Sequence, residues 1–206
     1  MTSILKADNI QDADGNNIIN ESGNTITIGA SGDTINVPSG ATFNINGTAG
    51  TGLGTNTPAF FVYKVSSSNQ DISNNTATKI TFDSESWDVG SGFDLSNNKF
   101  VVPSGEGGKY HINFTCRTYD AGGELYSVRQ QIYKNGTWGS NNEFYGGADG
   151  EFEMEGTNFT HSVILDLSAG DYIECYMQCK THDSSNILIL GDNTNRKTYF
   201  TGYKLF

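Results

Sequence analysis

Apolar and polar positions alternate with a period of two through most of residues 58–206, and no segment sustains a helical apolar period. The alternation predicts strands over 58–65 (PAFFVYKV) and 79–83 (KITFD), with further strand texture through 87–118. Residues 162–180 read as two strands joined at Ser168-Ala169-Gly170-Asp171, and Lys134-Asn135-Gly136 reads as a hairpin turn. Many short strands at regular turn spacing predict an all-β sandwich. The terminal stretch Thr198–Phe206 departs from simple alternation. As a strand it places Tyr199, Thr201, Tyr203 and Leu205 on one face and Phe200, Gly202, Lys204 and Phe206 on the other. Both faces carry aromatics, and a chain terminus frays unless something ties it down. One cover is the second sheet of the sandwich; the other is a neighbouring subunit. A strand buried on both sides within one subunit is the alternative.

Before Pro58 the pattern is sparser. Residues 1–24 carry short apolar clusters, Ile4-Leu5, Ile10 and Ile18-Ile19, between turn residues, and are read as an N-terminal anchor. Asp12-Ala13-Asp14-Gly15 starts like a calcium loop, but the remaining ligand positions and the closing Glu are missing, which leaves an Asp-Gly turn. Residues 25–50 contain a weak repeat, TITI (25–28), TINV (34–37) and TFNI (42–45), each with two apolar residues on one face. Two such side chains per strand cannot fill a core in one chain, whereas three chains wound about one axis could, which predicts a short β-structured shaft. Residues 51–58 continue a Gly/Thr-rich linker. Its Gly50-x-Gly52-x-Gly54 lacks the flanking strand, helix and Lys-Ser/Thr pair of a phosphate loop.

Aromatics at 12% are too many for a disordered chain, so much of it folds. The formal net charge of −11, with no basic patch to offset it, argues against nucleic acid and anionic membrane surfaces. No apolar stretch approaches membrane-spanning length, and the first residues lack the pattern of an ordinary signal peptide. Cys175 and Cys179 lie four apart on one predicted strand, roughly 13 Å between Cα atoms, too far to bridge. With Cys116 they read as buried free thiols, which suits assembly in a reducing cytoplasm.

From Trp87 onward the residues resemble the C1q-like heads of the complement/tumour-necrosis-factor jelly-roll superfamily. The matching pieces are Gly92-Phe93-Asp94, Lys99-Phe100, Pro103 and Gly108-Lys109-Tyr110, then Tyr133-Lys134-Asn135-Gly136. Val163-Ile164-Leu165-Asp166-Leu167 with Ala169-Gly170-Asp171 follows, and Phe200-Thr201-Gly202-Tyr203 closes the series. The resemblance spans residues 59–206 in order; the family's disulfide and collagen stalk are not matched. It implies a trimeric jelly-roll head packed around a three-fold axis, with Tyr110, Phe200, Tyr203, Leu205 and Phe206 at the trimer interface. The first 50 residues, with Asn9-Ile10, Asp12 and Gly15-Asn16-Asn17-Ile18-Ile19, are similar to N-terminal segments of marine bacteriophage fibre proteins. That implies a virion location, with residues 1–24 contacting capsid or tail proteins.

Catalytic signatures are absent: no Gly-x-Ser-x-Gly, no His-Glu-x-x-His and no Cys/His pair at useful spacing occurs, so no enzyme is expected. Asp149, Glu151, Glu153 and Glu155 fall at every second residue, so like charges about 7 Å apart need water, salt or a cation. The loops 118–125, 153–160 and 181–197 fall at the end of the head away from the shaft, where a fibre tip meets its surroundings. They supply candidate ligand-binding residues Tyr119, Asp120, Glu124, His182, Asp183 and Asn193, and candidate calcium ligands Glu153, Glu155 and Asp192. No cofactor is required, and calcium is the candidate ion. Tyr119 and Trp138 are candidate aromatic platforms for host glycans. The resulting expectation is a homotrimeric virion fibre or decoration protein that attaches to a host surface. The alternatives are a freestanding lectin-like C1q module and a purely stabilising capsid decoration.

Overall fold

The computed structural model describes residues 9–11, 13, 15, 17–22, 25–28, 31–41, 56–122, 124–146 and 154–206. The chain divides into two compact units, Met1–Ala49 and Gly50–Phe206, and every regular element among the described residues is a strand.

In the first unit, β1 (Asn9–Gln11), β2 (Asn17–Ser22) and β3 (Thr25–Ile28) form an antiparallel sheet in sequence order. The ladder from Ser22 to Thr25 runs across the boundary placed at residue 24 between anchor and shaft. TITI is a strand, but residues 34–37 are not, and Ile35 and Val37 are exposed. Without a partner strand, that segment gains neither ladder hydrogen bonds nor a covered face, and alternation alone does not hold a strand. TFNI (42–45) lies outside the described residues.

The second unit is a two-layer sandwich. Its first sheet has the order β5 (Gln70–Ile72), β15 (Ile187–Ile189), β10 (Gly108–Tyr119), β16 (Tyr199–Lys204), β4 (Ala59–Tyr63) and β7 (Ser84–Val89). β13 (Asn158–Leu167) also pairs with β10, along its other edge from β16. The second sheet has the order β12 (Thr137–Tyr145), β11 (Leu125–Lys134), β14 (Tyr172–Thr181), β9 (Lys99–Val101) and β8 (Phe93–Asp94), with β6 (Thr78–Lys79) on β14.

Period-two alternation sets which side chains enter the core. Along β10, Tyr110, Ile112, Phe114 and Cys116 point inward; along β14, Ile173, Cys175, Met177 and Cys179 do the same from the opposite layer. Aromatic rings fill the middle: Phe60 stacks on Phe100 at 4.5 Å between centroids and meets Phe200 edge-on at 4.9 Å. Gly202 gives this cluster room, because a Cβ there would lie 2.7 Å from Ile112 Cδ1 and 2.9 Å from Phe60 Cε1.

Two of the expected interface residues therefore belong elsewhere. Tyr110 and Phe200 have no exposed surface and are core residues of the single subunit. The Tyr110 hydroxyl donates to the Glu106 carbonyl, which satisfies its one polar group inside the sandwich. The strand β16 does turn its other face, Tyr199, Thr201 and Tyr203, outward and only half-covered. Leu205 is half-buried, and Phe206 is exposed beyond the end of the strand.

Candidate functional site

The loop that follows β10 and the turn between β14 and β15 meet beside β5 and enclose a cleft of about 410 Å³. Asp71, Tyr119, Asp120, Gly122, Asp183 and Leu188 line it. Asp120 is only 4% exposed, and its carboxylate accepts the Gly122 N–H (3.1 Å) and the Glu124 N–H (2.8 Å). Asp183 accepts the Ser185 N–H at 2.8 Å, and these bonds hold its carboxyl below the usual carboxylate range. Both acids thus cap their own turns, which is a common use of Asp in tight loops. The two carboxylates approach the same backbone: a Cβ on Gly122 would sit 3.6 Å from Asp120 Oδ1 and 3.9 Å from Asp183 Oδ2.

The other loop candidates lie outside this cleft. Glu124 and His182 do not line the cleft; they are joined to each other beside it, where the His182 N–H donates to the Glu124 carbonyl at 3.2 Å. The His182 ring stacks on Tyr126 at 4.3 Å. Asn193 instead ties the turn before β16 to the segment after β4, accepting the Ser66 N–H at 2.9 Å. Asp192 pairs with Lys197 at 3.1 Å and accepts the Thr194 and Asn195 N–H groups at 2.8 Å. Those bonds depress its carboxyl far below the usual range. Glu155 is exposed, and its carbonyl accepts the Asp120 N–H at 2.6 Å. Glu153 lies outside the described residues, as do residues 149–152 of the acidic run. Among the described residues, which leave out Glu153, no cluster of three or more His, Cys, Asp or Glu could hold a metal ion.

Buried titratable groups are arranged for packing. Burial pushes the Cys116 thiol up to about 12 and holds Cys175 and Cys179 well above their ordinary value, so all three are kept as neutral thiols. Lys64, 1% exposed, donates to Thr81 Oγ1 at 2.8 Å and lies 3.8 Å from Asp83; burial lowers its pKa.

The outward face of the first sheet is the more unusual surface. Register aligns Val89, Ala59, Tyr203, His111 and Ile164 in one row across five strands. The next row runs Trp87, Phe61, Thr201, Asn113 and Ser162. Phe61 stacks on Tyr199 at 5.2 Å and lies 6.2 Å from Trp87, while Tyr203 packs 5.2 Å from His111. Trp87, Val89 and Ile164 remain 43%, 50% and 58% exposed at the two margins. Side chains this apolar, contiguous across a sheet, are the usual mark of a face that another surface covers. Sequence reasoning named Tyr203 and missed Trp87, Phe61, Val89 and Ile164, because the row exists only once five separate strands are in register.

No protein-family model matches the chain, and no curated protein is significantly similar to it. Solved structures do resemble it. The globular domain of zebrafish complement 1qA aligns at 14% identity over 72% of this chain and 98% of its own, with a TM-score of 0.46. Murine APRIL aligns at 12% identity over 71% of this chain and 98% of its own, with a TM-score of 0.49. The Eiger TNF of S. frugiperda aligns at 12% identity over 72% and 92%, with a TM-score of 0.52, and on that likeness the second unit has a C1q/TNF-like jelly-roll fold.

Proposed function

We propose that the chain is a homotrimeric structural protein of a bacteriophage virion, a fibre or decoration whose jelly-roll head attaches to a host surface. The observation that carries the trimer is the row Val89–Ala59–Tyr203–His111–Ile164 with its aromatic neighbours, a largely apolar face whose margins stay exposed among the described residues. Closing three such faces around one axis removes Trp87, Val89 and Ile164 from water together. Three is the number implied by the resemblance of residues 59–206 to C1q-like heads. The virion setting is supported by the likeness of the first 50 residues to phage fibre segments. It is also supported by the division into a small N-terminal unit and a large head.

Light scattering on the full chain tests assembly: a mass of three times 22.3 kDa is expected at micromolar concentration, and a well-folded single subunit would overturn the reading. Mass spectrometry of purified phage particles tests the setting. The chain is expected among the particle proteins, and its absence from every particle would leave the freestanding module instead.

A further inference from the structure

The second sheet turns a different surface outward. Register places Trp138 opposite Tyr133 and Glu174, then Asn141 opposite Gln131 and Tyr176, then Glu143 opposite Arg129 and Gln178. Tyr133 and Tyr176 stack at 4.2 Å with 24° between their planes. Trp138, 56% exposed, stands beside them, with the Arg129 guanidinium carbon 6.0 Å from its ring centroid. Arg129 donates through its terminal nitrogens to Glu143 (2.8 Å) and Gln178 (3.2 Å).

Two polar atoms on this face are left over. Arg129 Nε is a buried donor and Gln131 Oε1 a buried acceptor, and neither has a partner. Gln131 is 4% exposed, yet it alternates with Gln130, whose amide donates inward to the Phe114 and Phe159 carbonyls, so Gln131 belongs to the outward side. Buried polar groups in folded proteins are nearly always paired, so two orphans on one outward face beside three aromatic rings are unusual; Gln130 Oε1, on the core side between them, also lacks a partner.

We infer that this face, built on Trp138, Tyr133, Tyr176, Gln131 and Arg129, binds a neutral saccharide. A sugar ring presents C–H groups on its faces, which pack on indole and phenol rings, and hydroxyls at its edge. A hydroxyl both donates and accepts, so neighbouring hydroxyls satisfy the Arg129 donor and the Gln131 acceptor, and match the Gln131 amide in either of its two orientations. Other occupants leave a mismatch. An anion would suit Arg129, but Arg129 already pairs with Glu143 and the neighbouring Lys79 with Glu174, on a chain with net charge −11. An apolar segment would leave both orphans unmatched. Trp138, more than half exposed, turns about its side-chain torsions on the nanosecond scale and offers its ring as a shelf beside the guanidinium.

The inference deepens the attachment reading and rests on it: the first sheet closes the trimer, the second stays outside, and three weak sites on one rigid head act together. The test exposes the full chain to an array of immobilised neutral hexose, N-acetylhexosamine and deoxyhexose oligosaccharides, then titrates each hit by tryptophan fluorescence. Light scattering is run on every sample. At least one saccharide is expected to bind. Trp138→Ala should weaken it by about tenfold or more, Trp138→Phe should keep most of the affinity, and Gln131→Met should weaken it with assembly unchanged. No saccharide bound at millimolar concentration, or binding untouched by Trp138→Ala, overturns the inference. So does retention of sulfated polymers alone, lost in Arg129→Gln and kept in Trp138→Ala. A trimer without saccharide binding sinks this inference and leaves assembly standing, whereas a saccharide-binding single subunit does the reverse.

Discussion

Replacing Ile164 by Ser isolates the proposed assembly face from the fold. Ile164 lies 58% exposed on the outward side of β13, cross-strand from His111, so the single subunit gains little from it. Its loss should cost the monomer under about 1 kcal/mol, the scale of strand preference at a surface position. Fully burying an Ile is worth roughly 1.5–3 kcal/mol, so the part still exposed here leaves about 1–1.7 kcal/mol per copy for assembly to gain.

Three copies lose about 3–5 kcal/mol together, which weakens the trimer constant by roughly two to three and a half orders of magnitude. The constant depends on the square of protein concentration, so the dilution midpoint moves by its square root, roughly 10- to 60-fold. Light scattering or sedimentation across a nanomolar-to-micromolar dilution series reads that shift directly. Thermal melting of the dissociated subunit should hardly change. A midpoint within twofold of the parent, with the fold intact, would mean that Ile164 is not covered in the assembly and would refute the placement of the interface.

Other outcomes follow from the interior. Gly202→Ala puts a methyl group against Ile112 and Phe60, and overpacking of this kind should lower unfolding stability by about 1–3 kcal/mol in a urea titration. Ellman's reagent should label none of Cys116, Cys175 and Cys179 in the native protein and all three in denaturant, because burial keeps them neutral and inaccessible. Asp171 accepts from Lys134, Asn135 and the Ser168 N–H, which hold its carboxyl at about 2. Its folded value lies below the unfolded one, so its contribution is present above about pH 4 and fades as pH falls towards 2. Asp171→Asn should flatten that part of the urea-midpoint profile.

The strands were readable because alternation is a property of each segment alone. Residues 108–119 and 172–181 announce themselves through apolar positions two apart, and both form with those positions inward. What alternation cannot reveal is which layer covers a face. Aromatics on both sides of Thr198–Phe206 indicate two covers, but the order of the strands decides which aromatic meets which. Phe200 went to the aromatic interior and Tyr203 to the outside, and Tyr110, read as an interface residue, is closed beneath Glu106. Tyr119, Asp120 and Asp183, read as loop residues, do share a cleft, with Tyr119 as the last residue of β10. The bonds that occupy the two carboxylates come from turn N–H groups whose geometry the sequence does not carry. The Tyr133–Tyr176 stack joins residues from different strands, so only the β11–β14 register brings it into view.

That dependence on register is also the best argument that the first sheet's outer face has a purpose. β13 by itself looks like an ordinary wetted strand: Asn158, Thr160, Ser162 and Asp166 point outward, all exposed and polar. Ile164 is the exception among them, and in isolation a single exposed Ile needs no explanation. Across the sheet, however, its row continues through His111, Tyr203 and Ala59 to Val89, and the adjacent row supplies Phe61 and Trp87. Scattered surface apolar residues have no reason to align across five strands that are far apart in sequence. Alignment of that kind is what a flat covering partner requires, because a partner meets the sheet row by row rather than strand by strand. Of the polar positions of β13 only Ser162 falls within those rows, where its hydroxyl bonds to the His111 ring at 2.9 Å, and Asn158, Thr160 and Asp166 fall outside them.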